Sequence, residues 1–80
     1  MKDIDEYIDG TINGWAVNVY LSSGQGSGWF MQASPYTDEN DNPVPEEIFV
    51  LCHKITDSRI ENRKQANSIL KQVGFIPDME

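Results

Sequence analysis

The sequence predicts an α+β domain: a meander of three antiparallel strands with a C-terminal helix packed on one of its faces. Three observations lead there. Residues 12–36 alternate apolar and polar side chains around a glycine-rich break, residues 48–52 form a short apolar run, and Ala66, Ile69, Leu70 and Val73 form a helical stripe. Eighty residues suffice for a single domain, residues 1–80, with one hydrophobic core.

The first eleven residues admit two readings. Ile4, Tyr7 and Ile8 fit one side of a short N-terminal helix, which is the preferred reading. Alternatively, Asp9-Gly10 turns a hairpin that joins Glu6–Ile8 to Thr11–Asn13. From Ile12 to Ser22 the alternation is plain. Trp15, Val17, Val19 and Leu21 fall on one face, and Ala16, Asn18, Tyr20 and Ser22 on the other, as in a half-buried strand. Ser23 to Gly28 holds three glycines and reads as a hairpin loop. The second strand spans Trp29 to Tyr36. A hairpin folded about Gln25 sets Leu21 opposite Trp29, Val19 opposite Met31 and Val17 opposite Ala33, so the apolar sets share a face. Its reverse face then pairs Tyr20 with Phe30 and Asn18 with Gln32.

Residues 37–45 are polar with two prolines and read as a loop. Glu46 to Ile55 is ambiguous. Ile48, Leu51, Cys52 and Ile55 fit helical spacing, and Pro45-Glu46-Glu47 resembles a helix start. Yet Ile48 to Cys52 is a continuous apolar run with two β-branched residues and an aromatic, followed by Thr56-Asp57-Ser58. The preferred reading is a strand buried on both faces, the third of the meander. The closing helix is expected over residues 59–73. Ser58 and Glu61 have capping-box spacing, Gly74 suits a left-handed closing residue, Phe75 packs back on Leu70, and Pro77 bars continuation.

The net charge is −7, and it is uneven. Residues 1–47 carry nine acids against Lys2 alone, whereas residues 48–80 carry five bases and four acids. An acidic chain repels phosphate backbones, so direct nucleic-acid binding and attraction to anionic membranes are not expected. The longest apolar run is far too short to span a bilayer. With one cysteine and no basic start followed by an apolar run, a cytoplasmic protein is expected.

Candidate chemistry is sparse. Cys52 and His53 are neighbours, but on a strand adjacent side chains point apart, so a thiol–imidazole pair is not formed. One cysteine and one histidine fall short of a zinc site. Asp38, Asn40 and Asn42 imitate the opening of a calcium loop, yet the glycine and glutamate positions hold Pro43 and Phe49. Gly24, Gly26 and Gly28 join strand to strand with no adjacent base, unlike a phosphate-binding loop. No catalytic residue, cofactor or metal is therefore expected. The helix face of Lys64, Asn67, Ser68 and Lys71 reads as a solvated surface.

The reverse face of the hairpin is more informative. Tyr20 and Phe30, with Tyr36 beyond them and Asn18 and Gln32 between, exceed what one helix can bury. Either the chain's own amino-terminal segment covers that face, or a protein partner or a second copy does, and the latter suggests a non-enzymatic protein-interaction module. The acidic loop residues Asp38, Glu39 and Asp41 are further candidates for partner contact. Two alternatives stand beside it: an acidic inhibitor that mimics nucleic acid and blocks a nucleic-acid-binding protein, and an enzyme with an unrecognised site.

Overall fold

The computed structural model of the protein describes residues 4–24, 28–37, 40 and 42–78. Its architecture starts from Asn13-Gly14. Both residues take left-handed backbone angles, with φ of 51° and 83°. Two such residues in succession form the turn whose twist matches a tight hairpin, and Asn-Gly is the dipeptide that favours it most. It joins strand β1 (Ile4–Ile12) to strand β2 (Trp15–Gly24), pairing Ile12 with Trp15 and running on to Ile4 with Ser23. The expected N-terminal helix is thus a strand, and the alternative turn at Asp9-Gly10 is also overturned. Ile8, Gly10 and Ile12 alternate along one face as a strand requires, and the Asn-Gly turn fixes their register against β2.

Strand β3 (Gly28–Pro35) returns antiparallel to β2, as expected, but two residues out of the predicted register. Leu21 faces Met31, Val19 faces Ala33 and Val17 faces Pro35. Gly24 pairs with Gly28, whereas a hairpin folded about Gln25 would set Ser22 opposite Gly28. A shift of two residues changes partners but keeps every side chain on its expected face, because the strand period is two.

Residues 46–55 are not a third strand. They lie in helix α1 (Glu46–Thr56), which places Ile48, Cys52 and Ile55 at successive turns on one buried side and leaves Phe49 and Val50 outside. The Pro45 carbonyl accepts the Ile48 and Phe49 amides, and Glu46 and Glu47 occupy the first turn, where carboxylates favour a helix. The helix start signal therefore prevails over the β-branched run.

Helix α2 (Arg63–Gln72) is the predicted closing helix, beginning four residues later than expected. Its cap is Asn62, whose side chain accepts the Gln65 amide at 2.9 Å, while the Gln65 side chain accepts the Glu61 amide at 2.6 Å. Ser58 instead donates its hydroxyl to the Lys54 carbonyl at the end of α1. Between them Ile60 is buried, and the segment that anchors it separates the two helices. Gly74 has a φ of 83°, the left-handed ending expected of it. Phe75 is buried and opens a short strand, β4 (Phe75–Pro77).

The sheet therefore has four strands rather than three, all antiparallel, in the order β3-β2-β1-β4. There are two helices, not one C-terminal helix, with α1 packed against β3 and α2 running beside β4. The core combines Ile12, Val17, Val19, Leu21 and Met31 from the sheet with Ile48, Cys52, Ile55, Ala66 and Leu70 from the helices, joined by Ile60 and Phe75. No helix among the described residues is long and apolar enough to cross a membrane.

Candidate functional site

Strand parity sorts the sheet into two faces. Val17, Val19 and Leu21 point to the helices, so Ala16, Asn18, Tyr20 and Ser22 point away. The register carries Asp5, Tyr7, Asp9 and Thr11 of β1 to the same outer face, together with Phe30, Gln32 and Ser34 of β3 and Ile76 of β4. Nothing among the described residues covers this face. The N-terminal strand does not fold across it but widens it.

Three aromatic rings cross it in a row. Tyr7 lies directly opposite Tyr20, and their ring centroids are 4.9 Å apart. Tyr20 meets Phe30 diagonally, edge to face at 6.3 Å. Both separations fall in the range in which aromatic pairs attract. Tyr7 is 69% exposed and Phe30 46%, so the row is open to solvent.

Beside the row lies a hydrogen-bonded group. Asp9 Oδ1 accepts the Tyr36 hydroxyl at 2.7 Å and the Asn18 side-chain amide at 2.9 Å. The Trp15 indole N–H donates to the Tyr36 carbonyl at 2.9 Å, which anchors Tyr36 to the end of β2. The Tyr36 and Asn18 bonds hold the Asp9 carboxyl below the ordinary aspartate range, because both favour the charged form. The same Asp9 carboxylate pushes the Tyr36 hydroxyl up, aided by burial, and Asp5 does the same to Tyr20.

Tyr20, Phe30, Asn18 and Gln32 thus lie on one face, as the alternation implied. Tyr20 sits opposite Gln32 rather than Phe30, and Asn18 opposite Ser34, as the register shift demands. Asp38, Glu39 and Asp41 fall outside the described residues, and with Asp38 goes the first position of the calcium-like loop. Tyr7, Asp5 and Asp9 were not predicted for this face. The signal that finds them is Asn13-Gly14, since folding back from that turn aligns Tyr7 with Tyr20 and Asp9 with Asn18.

Other candidate chemistry is dispersed. Cys52 is buried against the sheet, and burial pushes its thiol up. His53 is exposed, and adjacent helical residues do not face each other, so the pair stays apart on a helix as it would on a strand. Among the described residues no three His, Cys, Asp or Glu side chains gather where they could hold a metal ion. A groove of about 410 Å³ between α2 and the edge of the sheet is floored by Ile8, Leu70 and Phe75 and rimmed by Arg63 and Lys71. Arg63 is already engaged there, with its guanidinium 2.6 Å from Glu6 on the helix side of β1.

No protein-family model matches the sequence, and no curated protein or solved structure is significantly similar to it.

Proposed function

We propose that the protein is a non-enzymatic interaction module that binds another protein through the open face of its sheet. The observation that supports this is the row Tyr7, Tyr20 and Phe30, which stands exposed on the side away from both helices. Burying apolar area gains about 25 cal/mol per Å² before ordering costs, and aromatic side chains supply large area with few rotatable bonds. Three adjacent rings on a rigid sheet offer a partner that gain with little to order.

The alternative of nucleic-acid mimicry asks for carboxylates in an unbroken row. On β1 the outer-face carboxylates Asp5 and Asp9 are separated by Tyr7, and Glu6 turns to the other side to meet Arg63. That alternation suits a mixed aromatic and charged contact better than a phosphate-like row.

The test compares two surface variants in affinity capture from the source cell. Tyr20→Ser with Phe30→Ser strips the sheet face, and Phe49→Ser with Val50→Ser strips the outer side of α1. With circular dichroism unchanged in both, the sheet variant should lose partners that the helix variant keeps. Identical capture by the two variants would reject the open face as the binding surface.

A further inference from the structure

We propose that the open face takes a basic segment of a partner protein, with lysine or arginine side chains laid along the tyrosines and ending on Asp9 and Asp5. This rests on the open face being the binding surface and adds the chemistry of what binds there.

Basic charge among the described residues is confined to one of the two layers. Every lysine and arginine of the described residues lies on α1, α2 or the segment joining them: Lys54, Arg59, Arg63, Lys64 and Lys71. Among the described residues the outer face of the sheet carries Asp5 and Asp9 and no basic residue. Asp78 adds a third carboxylate at its edge, because its amide continues the ladder onto the Asp9 carbonyl and its charge acts on Tyr36. A second copy docked face to face would set these carboxylates against their equals, which opposes a closed homodimer. A phosphate-bearing partner meets the same repulsion.

The arrangement along β1 is carboxylate, aromatic, carboxylate. Alternate residues on a strand are about 6.8 Å apart, so Asp5 and Asp9 stand roughly 13 Å apart with the Tyr7 ring between them. A guanidinium or ammonium over a tyrosine ring is attracted by its π face, and its apolar stem covers the ring edge. Asp9 is prepared for such a contact. Its two internal hydrogen bonds both end on Oδ1, which fixes the carboxylate, and no bond among the described residues ends on Oδ2. An extended peptide with basic residues four apart matches the spacing.

The test is a titration of the nitrogen-15-labelled protein with acetyl-Arg-Ser-Gly-Ser-Arg-amide, followed by NMR. The control peptide has citrulline, which is neutral but similarly shaped, in place of both arginines. Amide shifts should concentrate in β1, β2 and β3 around Tyr7, Asp9 and Tyr20, and the citrulline peptide should leave them unmoved. Asp5→Asn with Asp9→Asn should weaken binding roughly tenfold, the loss expected for charge-assisted bonds. Glu46→Gln with Glu47→Gln removes equal charge from α1 and should change it less than about twofold. Equal weakening by both charge variants, or shifts spread over the whole acidic surface, would reduce the effect to diffuse attraction and overturn the proposal. Equal binding of the citrulline peptide would overturn it too. If the arginine peptide does not bind while Tyr20→Ser with Phe30→Ser still loses captured partners, the basic-partner proposal fails and the interaction reading stands. If neither effect is seen, both fail.

Discussion

Asp9 ties three parts of the chain together at one oxygen: its own strand, Asn18 on β2, and Tyr36 just beyond β3. Both donors prefer the carboxylate to the acid, so the folded protein holds Asp9 below its unfolded value. The sign of the linkage follows. A group with a depressed folded value contributes stability above its unfolded value, at neutral pH, and that stability is lost as pH falls through the folded one. Tyr36→Phe removes the larger of the two lowering contacts. The Asp9 midpoint, read from the carbon-13 shift of its carboxyl group, should move up toward that of a free aspartate. An unmoved midpoint would mean that Tyr36 does not hold Asp9 in solution. Trp15 belongs to the same arrangement, because its indole holds the Tyr36 backbone.

At the scale of elements, the least secure attachment is β4, which is three residues long and pairs only with Gly10, Thr11 and Ile12. Gly10 permits that pairing. A Cβ there would land on the carbonyl oxygen of Ile76 and 2.6 Å from the tip of the Phe75 ring. A backbone carbonyl can give way only if the strand shifts, so Gly10→Ala should cost about 1–3 kcal/mol in denaturant unfolding. Loss of amide-exchange protection should be concentrated in β4 rather than in β2 or β3. Unchanged stability would show that β4 moves aside freely. This strand also marks where sequence reading stops. Three residues carry no measurable period, and the partner strand lies at the other end of the chain, so nothing local announces the pairing. Strands β2 and β3 were legible because alternation and a glycine-rich turn agree, and the helical stripe of α2 because Gly74 and Pro77 stop it. At α1 the β-branched run resembled a strand, and the spacing of Ile48, Cys52 and Ile55 together with the Pro45-Glu46-Glu47 start separated the two readings. For β1 the Asn13-Gly14 turn was present, but Ile4, Tyr7 and Ile8 fit a helix equally well. The candidate face was legible as far as Tyr20, Phe30, Asn18 and Gln32, and its aspartates were hidden with β1.

The whole molecule has one dry layer boundary and one wet sheet face, since both helices pack on the same side. That asymmetry can be read at two neighbouring positions of β2. Leu21 is 1% exposed and reaches the core under the helices, whereas Tyr20 turns to the outer face between Tyr7 and Phe30. Leu21→Ala should cost about 2–5 kcal/mol, the usual loss for emptying a buried site. Tyr20→Ser removes two ring contacts on a solvated surface and should cost roughly 1 kcal/mol. The two values, measured by chemical unfolding at several protein concentrations, distinguish a free face from a covered one. On a free face the Tyr20→Ser loss is small and independent of concentration. If copies of the chain bury that face against each other, the loss grows with concentration, because association stabilises only the wild type. The carboxylates of Asp5, Asp9 and Asp78 oppose such pairing, so a small and constant loss is the expected result. A Tyr20→Ser loss equal to that of Leu21→Ala would place Tyr20 inside a second core and remove the open face on which binding depends.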